Sequence, residues 1–242
     1  HTNWEMIEPY IDNLDKIYFA GGEPLMMEEH WKLIDELVKR KKFDTQLIYN
    51  TNFSEVKYKG RLVFDVWKEF EDVSIGASLD GMGKRAEYIR KGTHWDTIER
   101  NRTEMLQVCP DVDFFPSATL QVLNAYHLPD FHKDWIDRGL LEPQNVRMNI
   151  LTYPTEYRIQ IIPSSERKIF IDKYTEHIKW IDDNFGDGAA KRGFESVLDF
   201  LQQENYENLI PDFIDRNTPL DKLRGESLYQ VAPELKFLEE QK

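Results

Sequence analysis

The residues best placed to do chemistry are Gly21, Gly22, Glu23 and Pro24, which follow the apolar segment 16–20. Glycine accepts the positive φ angles that bring backbone close to a ligand. Glu23 adds a carboxylate, and Pro24 fixes its own φ and biases Glu23 away from helix. Such a turn can offer carbonyl oxygens and a carboxylate to the ammonium group of a ligand. The alternative is an ordinary strand-to-helix turn, because glycine and proline punctuate many of them.

Polar side chains also stand at the ends of the other predicted strands. They are Asn50, Thr51, Asn52, Ser78, Asp80, Gln121, Asn124 and Asn149. Ligands of parallel α/β folds sit at the carboxyl ends of the strands, so we expect these side chains to converge on one small-molecule site. Each one singly is also explained as a turn residue, a cap or a partner of a buried backbone group.

Strands alternate with helices over the first 151 residues, which is typical of βαβ units around a parallel sheet. The pattern predicts strands at 16–20, 46–51, 73–79, 113–123 and 146–151. It predicts helices at 4–14, 27–41, 62–70, 95–108 and 128–136. The handedness of such crossovers allows an open sheet or an incomplete barrel.

The pattern changes after Tyr153-Pro154, where helical spacing replaces the alternation. It indicates a short strand at 159–162, a long helix at 165–185 and further helical pieces at 194–201, 209–214 and 228–238. We therefore place a domain boundary near residue 155. Residues 1–155 form the β/α domain and residues 156–242 a mostly helical C-terminal extension.

The composition excludes several classes of protein. The chain has 242 residues, enough to bury a sizeable core, and a formal net charge of −13. That charge argues against nucleic acid or an anionic membrane as a partner. No apolar run approaches the ~20 residues of a membrane span, and no signal peptide is visible. We expect a soluble, cytoplasmic protein. Because the chain begins with His1 rather than Met, we also expect a missing N-terminus.

The single cysteine, Cys109, excludes an internal disulfide framework. It ends an apolar helical stretch before Pro110, where a lone cysteine is typically a small buried hydrophobe. The six histidines form no metal signature; His127 and His132 are five apart, the wrong spacing for a zinc pair. The sequence therefore predicts no metal site in this chain.

The segment Gly21-Gly22-Glu23-Pro24 resembles a signature of the radical S-adenosylmethionine (radical SAM) enzymes. In that family it follows the second strand of a partial β/α barrel and holds the amino group of SAM. The likeness continues through Thr51-Asn52, Ser78-Leu79-Asp80-Gly81, Arg90 and Asn149-Ile150-Leu151, in the family's order, over roughly residues 4–160. It implies an incomplete TIM-like (β/α)6 barrel of radical SAM type that lacks its first strand, with a helical, twitch-like C-terminal extension.

The cofactor-binding residues predicted on this basis are Gly21, Gly22, Glu23, Pro24, Thr51, Asn52, Ser78, Asp80, Arg90, Gln121, Asn149 and Leu151. The turn 21–24 would hold the amino group of SAM. Ser78 and Asp80 would meet its ribose and carboxylate, and Arg90 would pair with the carboxylate. Residues 149–151 would lie along the adenine.

The family holds a [4Fe–4S] cluster through three closely spaced cysteines, and this chain has none of them. The resemblance therefore implies a fragment of a radical SAM enzyme, inactive alone. In the intact parent, cleavage of SAM at the cluster would start hydrogen abstraction from an unknown substrate, a peptide being one candidate, with an electron donor as partner.

Two other functions remain open, and the catalytic residues stay unknown. The first is a non-catalytic β/α scaffold that binds a nucleoside-like ligand or a protein partner. The second is a metal-independent barrel lyase or aldolase, which needs a lysine at a strand end; the predicted strands offer none.

Overall fold

The computed structural model describes residues 4–239, and the chain divides into two compact units. Unit one comprises residues 1–78 and 96–115, and unit two comprises residues 79–95 and 116–242. The first three residues of the predicted β/α domain (1–3) and the last three of the predicted C-terminal extension (240–242) lie outside the described residues. The domain boundary near residue 155 stays a prediction.

The elements follow one another in the alternation that the sequence predicts. The strands are β1 (Lys16–Phe19), β2 (Gln46–Thr51), β3 (Lys57–Tyr58), β4 (Arg61–Leu62), β5 (Val73–Ala77), β6 (Asp113–Leu120) and β7 (Arg147–Ile150). The helices are α1 (Trp4–Ile7), α2 (Glu28–Lys39), α3 (Phe64–Trp67), α4 (Gly83–Ile89), α5 (Trp95–Val108), α6 (Leu128–Asp137), α7 (Arg167–Phe185), α8 (Ala189–Leu201), α9 (Ile210–Arg224) and α10 (Leu228–Val231). Short 3₁₀ helices span Glu8–Asn13, Pro24–Met26, Thr155–Tyr157, Ile159–Ile161, Glu207–Leu209 and Pro233–Leu238.

Five strands form a sheet in the order β1-β2-β5-β6-β7. In unit one, β2 pairs in parallel with both β1 and β5. Strand β6 begins in unit one, and its end pairs in parallel with β7 in unit two. The predicted α/β class with a parallel sheet is confirmed. Among residues 4–239, no helix has the length and apolarity needed to span a membrane.

Unit one is organised around an aromatic core beneath β2. Alternate residues of β2 are buried, and Tyr49 packs on Trp67 of α3 with ring centroids 5.2 Å apart. Helix α2 turns an apolar stripe containing Trp31, Ile34 and Leu37 inward. Its first turn is acidic and its last turn basic, which complements the helix dipole.

Unit two builds its core from α6, α7 and α8. Trp135, Phe170, Tyr174 and Phe194 are fully buried there. Gly186 ends α7 at φ +73°, a conformation open to glycine, and the chain then returns as α8.

The structure differs from the predicted elements at several places. The predicted helix 4–14 is α1 followed by a 3₁₀ helix, because Pro9 cannot donate the bond that would continue α1. The predicted strand at 159–162 is wrong: Ile159–Ile161 is a 3₁₀ helix whose residues are all buried. Carbonyl oxygens of this segment instead accept from Arg167, at 2.9 Å for Gln160 and 3.0 Å for Ile162. The β3–β4 ribbon and α4 were not predicted.

Candidate functional site

The turn after β1 has the open geometry that its glycines predict. Gly21 and Gly22 adopt φ of +86° and +56°, and an added Cβ at either position would meet no atom within 4 Å. Both glycines are exposed, and no hydrogen bond within the described part of the chain uses their peptide groups. The backbone of Glu23 is extended, and Pro24 is buried. The packed proline with its fixed φ therefore holds a turn whose glycine peptide groups are exposed.

The carboxylate of Glu23 connects this turn to the end of β2. Thr51 donates its hydroxyl to Glu23 Oε1 at 2.6 Å, and the Asn52 N–H donates to Oε2 at 2.7 Å. The Leu25 N–H lies 3.4 Å from Oε1, which caps the 3₁₀ helix. Neutral donors therefore orient this carboxylate, and no Lys, Arg or His of residues 4–239 forms an ion pair with it.

Ser78 belongs to the same unit, and its N–H donates to the Thr51 carbonyl at 2.8 Å. The structure thus brings together Gly21, Gly22, Glu23, Pro24, Thr51, Asn52 and Ser78 at the carboxyl ends of β1, β2 and β5.

Sequence reasoning missed two residues that hold this group in place. Phe53 is fully buried at φ +58°, an uncommon conformation for a large side chain. Asn101 on α5 donates to the carbonyls of Phe53 at 2.9 Å and Ser54 at 3.2 Å. An isolated asparagine in the middle of a predicted helix, where this side chain is disfavoured, was the available signal.

In unit two, Asp80 lies in a closed network. Its side chain is 4% exposed, and Oδ2 pairs with Arg90 Nε at 2.7 Å. The Thr119 N–H donates to Oδ1 at 2.7 Å, and Asn124 donates to the Asp80 carbonyl at 2.9 Å. Every strong acceptor of Asp80 is thus engaged by a neighbour within the unit.

Arg90 is the more accessible member of this pair, with a side chain 35% exposed. Its Nε donates to Asp80, and no described residue accepts a hydrogen bond from its two terminal nitrogens. The guanidinium therefore keeps its outer edge free for an anion.

The remaining predicted residues of unit two follow β6 and lie on or after β7. The Gln121 N–H donates to Asn124 Oδ1 at 2.8 Å, and the Leu151 N–H donates to the Leu120 carbonyl at 2.9 Å. Asn149 is exposed on β7, and its amide donates to Ser117 Oγ at 3.3 Å instead of joining the Asp80 network.

His127 supports the loop that follows Asp80. Its Nε2 accepts the Met82 N–H at 3.1 Å, so the neutral ring carries its proton on Nδ1. Burial lowers the pKa of His127 to about 4, which keeps the ring neutral. Gly81 has φ +156°, and a Cβ there would lie 2.9 Å from His127 Cδ2, so this position requires glycine.

The donor set does not fit an iron–sulfur cluster. Cys109 is buried, as the sequence predicts, and burial raises the pKa of its thiol to about 11, so the thiol stays neutral. Within residues 4–239, no group of three or more His, Cys, Asp or Glu side chains could hold a metal ion.

Comparison with known proteins gives similarity at the level of the fold. No protein-family model and no curated protein matches the chain. The chain is similar to the solved structure described as native anSMEcpe with bound AdoMet and Cp18Cys peptide, with a TM-score of 0.50 and 15% identity. That match covers 74% of this chain and 51% of the other, so the chain spans about half its length. A second match, hexahistidine-tagged anSMEcpe with bound AdoMet, has a TM-score of 0.48, 15% identity and coverage of 74% and 50%. The fold thus resembles part of the partial barrel of a radical SAM enzyme.

Proposed function

We propose that this chain is the SAM-binding part of a radical SAM enzyme, and that the turn 21–24 binds the ammonium group of SAM. The observation that carries the proposal is the carboxylate of Glu23, which neutral donors orient beside two exposed glycine peptides. A carboxylate with no cation of its own leaves its charge for a ligand cation. The similarity in fold to an enzyme that binds AdoMet supports the same assignment.

In unit two, we propose that Arg90 binds the carboxylate of SAM through its outer nitrogens. Asp80 then acts by holding Arg90, since its own oxygens are already engaged. Roles for Ser78 at the ribose and for Gln121, Asn149 and Leu151 along the adenine stay predictions. The meeting of all these positions on one ligand also stays a prediction.

The [4Fe–4S] cluster belongs to the proposed parent enzyme, and its ligands are not among the residues of this chain. When bound in such an enzyme, the cluster supplies the electron that cleaves SAM. We assign this chain the binding and orientation of SAM only, and propose residues 156–242 as its twitch-like extension. The electron donor and the substrate, a peptide being one candidate, belong to the same proposal.

Calorimetric titration with SAM and with methylthioadenosine tests the ammonium site. Methylthioadenosine lacks the aminocarboxypropyl group and the sulfonium charge of SAM, so it reports whether the nucleoside part still binds. We expect Glu23→Gln to weaken SAM binding about tenfold, equivalent to about 1.4 kcal/mol, and to leave methylthioadenosine binding unchanged. Glu29→Gln, on the exposed face of α2, is the matched control and keeps both affinities. Equal SAM affinity in Glu23→Gln and the wild type would refute the assignment.

The alternative is a non-catalytic scaffold that binds a nucleoside-like ligand or a protein partner. The observation favouring it is that the described residues contain no set of cluster ligands. This alternative expects SAM and methylthioadenosine to bind with similar affinity. The two functions also differ in the product of a form that is extended upstream of His1 and reconstituted anaerobically. A scaffold should make no 5′-deoxyadenosine, whereas a fragment of a radical SAM enzyme should make it once three cysteines are supplied.

A further inference from the structure

A second candidate site lies wholly within unit two. A cavity of about 270 Å³ adjoins Gln121 and Leu151, the residues that follow β6 and β7. Helix α9 adds Asn217, Leu220 and two arginines to its lining, all outside the region predicted to bind SAM. Apolar walls come from Ile89, Leu123, Leu151 and Leu220.

The cavity also contains positive charge. Arg224 and Arg216 both line it, on one face of α9. Arg216 pairs with Glu156, and its side chain is 55% exposed. Arg224 is half-buried and reaches only the Tyr88 carbonyl, at 3.4 Å; no carboxylate of residues 4–239 forms an ion pair with it. In a chain with a net charge of −13, a guanidinium without a carboxylate partner at a cavity wall is available to an anion.

A hydrogen-bonded frame fixes the wall beside Arg224. Tyr88 donates to Asp221 at 2.6 Å, and Asn217 donates to the Tyr88 hydroxyl at 2.8 Å. The Leu228 N–H donates to the other oxygen of Asp221 at 2.8 Å, so this carboxylate is occupied. Burial raises the pKa of Tyr88, which keeps its hydroxyl protonated and donating.

We propose that this cavity binds a small organic carboxylate, with Arg224 receiving the carboxylate group and the apolar walls packing against the body of the molecule. The guanidinium supplies paired donors in the geometry that a carboxylate accepts, and the apolar walls favour a ring or branched chain over an inorganic ion. Tyr157 and Gln121 add neutral hydrogen-bonding groups at the same wall. This inference goes beyond the proposed function but shares Gln121 and Leu151 with it, so competition by SAM is part of the test.

Saturation-transfer NMR with benzoate and benzamide tests the proposal, because the two probes share a ring and differ in charge. We expect benzoate to bind the full chain and benzamide to bind at least about tenfold more weakly. Arg224→Gln should weaken benzoate about tenfold or more. Arg192→Gln, an exposed arginine paired with Asp187, is the matched control and should change nothing.

Several outcomes would overturn the proposal. They are equal binding of the two probes, unchanged benzoate binding in a folded Arg224→Gln variant, or equal losses in Arg224→Gln and Arg192→Gln. Displacement of bound benzoate by a lower concentration of inorganic phosphate would mean that the cavity binds a phosphoryl group instead of an organic carboxylate. Displacement by SAM would assign the cavity to the cofactor. If Arg224→Gln fails to fold, Leu220→Trp decides, since it fills the cavity from an apolar wall and must abolish benzoate binding.

Discussion

The two units place a carboxylate after a strand in opposite circumstances. In unit one, Glu23 follows two exposed glycines, and its oxygens accept from Thr51 and from backbone N–H groups. In unit two, Asp80 is 3% exposed and is ion-paired to Arg90. The same type of group at the same kind of position is open in one unit and enclosed in the other.

The difference shows that the partner, rather than the position, decides what a strand-end carboxylate can do. Neutral donors orient Glu23 and leave its charge uncompensated, which suits a cationic ligand. Arg90 neutralises the charge of Asp80, and Thr119 and Asn124 bond its remaining acceptors. A buried carboxylate with these bonds holds other groups in place, and removing it leaves them unpaired.

The largest expected effect comes from truncating each carboxylate in turn. Asp80→Ala should lower the free energy of unfolding by about 3 kcal/mol, because it leaves Arg90 without its counter-ion and the Thr119 N–H without an acceptor. Glu23→Ala should lower it by about 1 kcal/mol, since its partners are closer to solvent. Urea unfolding of the two variants measures both values. Equal losses would contradict the distinction between an enclosed and an open carboxylate.

Lowering the pH should destabilise unit two more than unit one. Burial lowers the pKa of His30 in unit one to about 4. In unit two, burial lowers the pKa of His127 and His132 to about 4 and that of His177 to about 3. The unfolded chain, with histidine pKa near 6.5, therefore binds more protons than the folded chain between pH 6.5 and 4, and stability falls as the pH falls through that window.

The expected loss on going from pH 7 to pH 5.5 is about 1 kcal/mol for each buried histidine. Unit two, with three of the four such histidines among the described residues, should lose amide-exchange protection more than unit one. Exchange rates corrected for intrinsic pH dependence measure this difference in peptides from each unit. His127→Gln should reduce the loss in unit two and leave that in unit one as it was. Equal losses of amide-exchange protection in the two units would contradict the explanation by buried histidines.

Much of unit one could be predicted because its signals are local. Gly21 and Gly22 permit the positive φ angles that the structure shows, and Pro24 fixes its own φ. The alternation of strands with helices likewise comes from short-range periodicity. These signals correctly gave the α/β class and the turn after β1.

The enclosure of Asp80 could not be predicted, because its partners are distant in sequence. Thr119 lies 39 residues away and Asn124 lies 44 residues away. From sequence alone, Asp80-Gly81 has the same appearance as an exposed turn. The buried Phe53 with its positive φ escaped for the same reason, since Asn101, which holds its carbonyl, is 48 residues away.

Glycine substitutions extend the contrast between open and enclosed loops to the backbone. Gly81→Ala should lower the free energy of unfolding by about 2 kcal/mol, because the positive φ is unfavourable and the new methyl group meets the His127 ring. Gly22→Ala meets no atom and should cost about 1 kcal/mol, from backbone conformation alone. Thermal unfolding compares the two variants. Combining Gly81→Ala with His127→Ala removes the contact, so Gly81→Ala should cost less in the His127→Ala background than in the wild type. An equal cost in both backgrounds would contradict the steric explanation.

The smallest expected effect concerns Asn101, whose amide holds the carbonyls of Phe53 and Ser54. Asn101→Ala should lower stability by about 1 kcal/mol and weaken SAM binding severalfold, because Phe53 directly follows the Thr51-Asn52 pair that orients Glu23. Thr103→Ala, on the exposed side of the same helix, is the control and should leave SAM affinity unchanged. Calorimetry on both variants separates the two outcomes. A loss of stability with full SAM affinity would mean that Asn101 supports the core of unit one without positioning the Glu23 carboxylate.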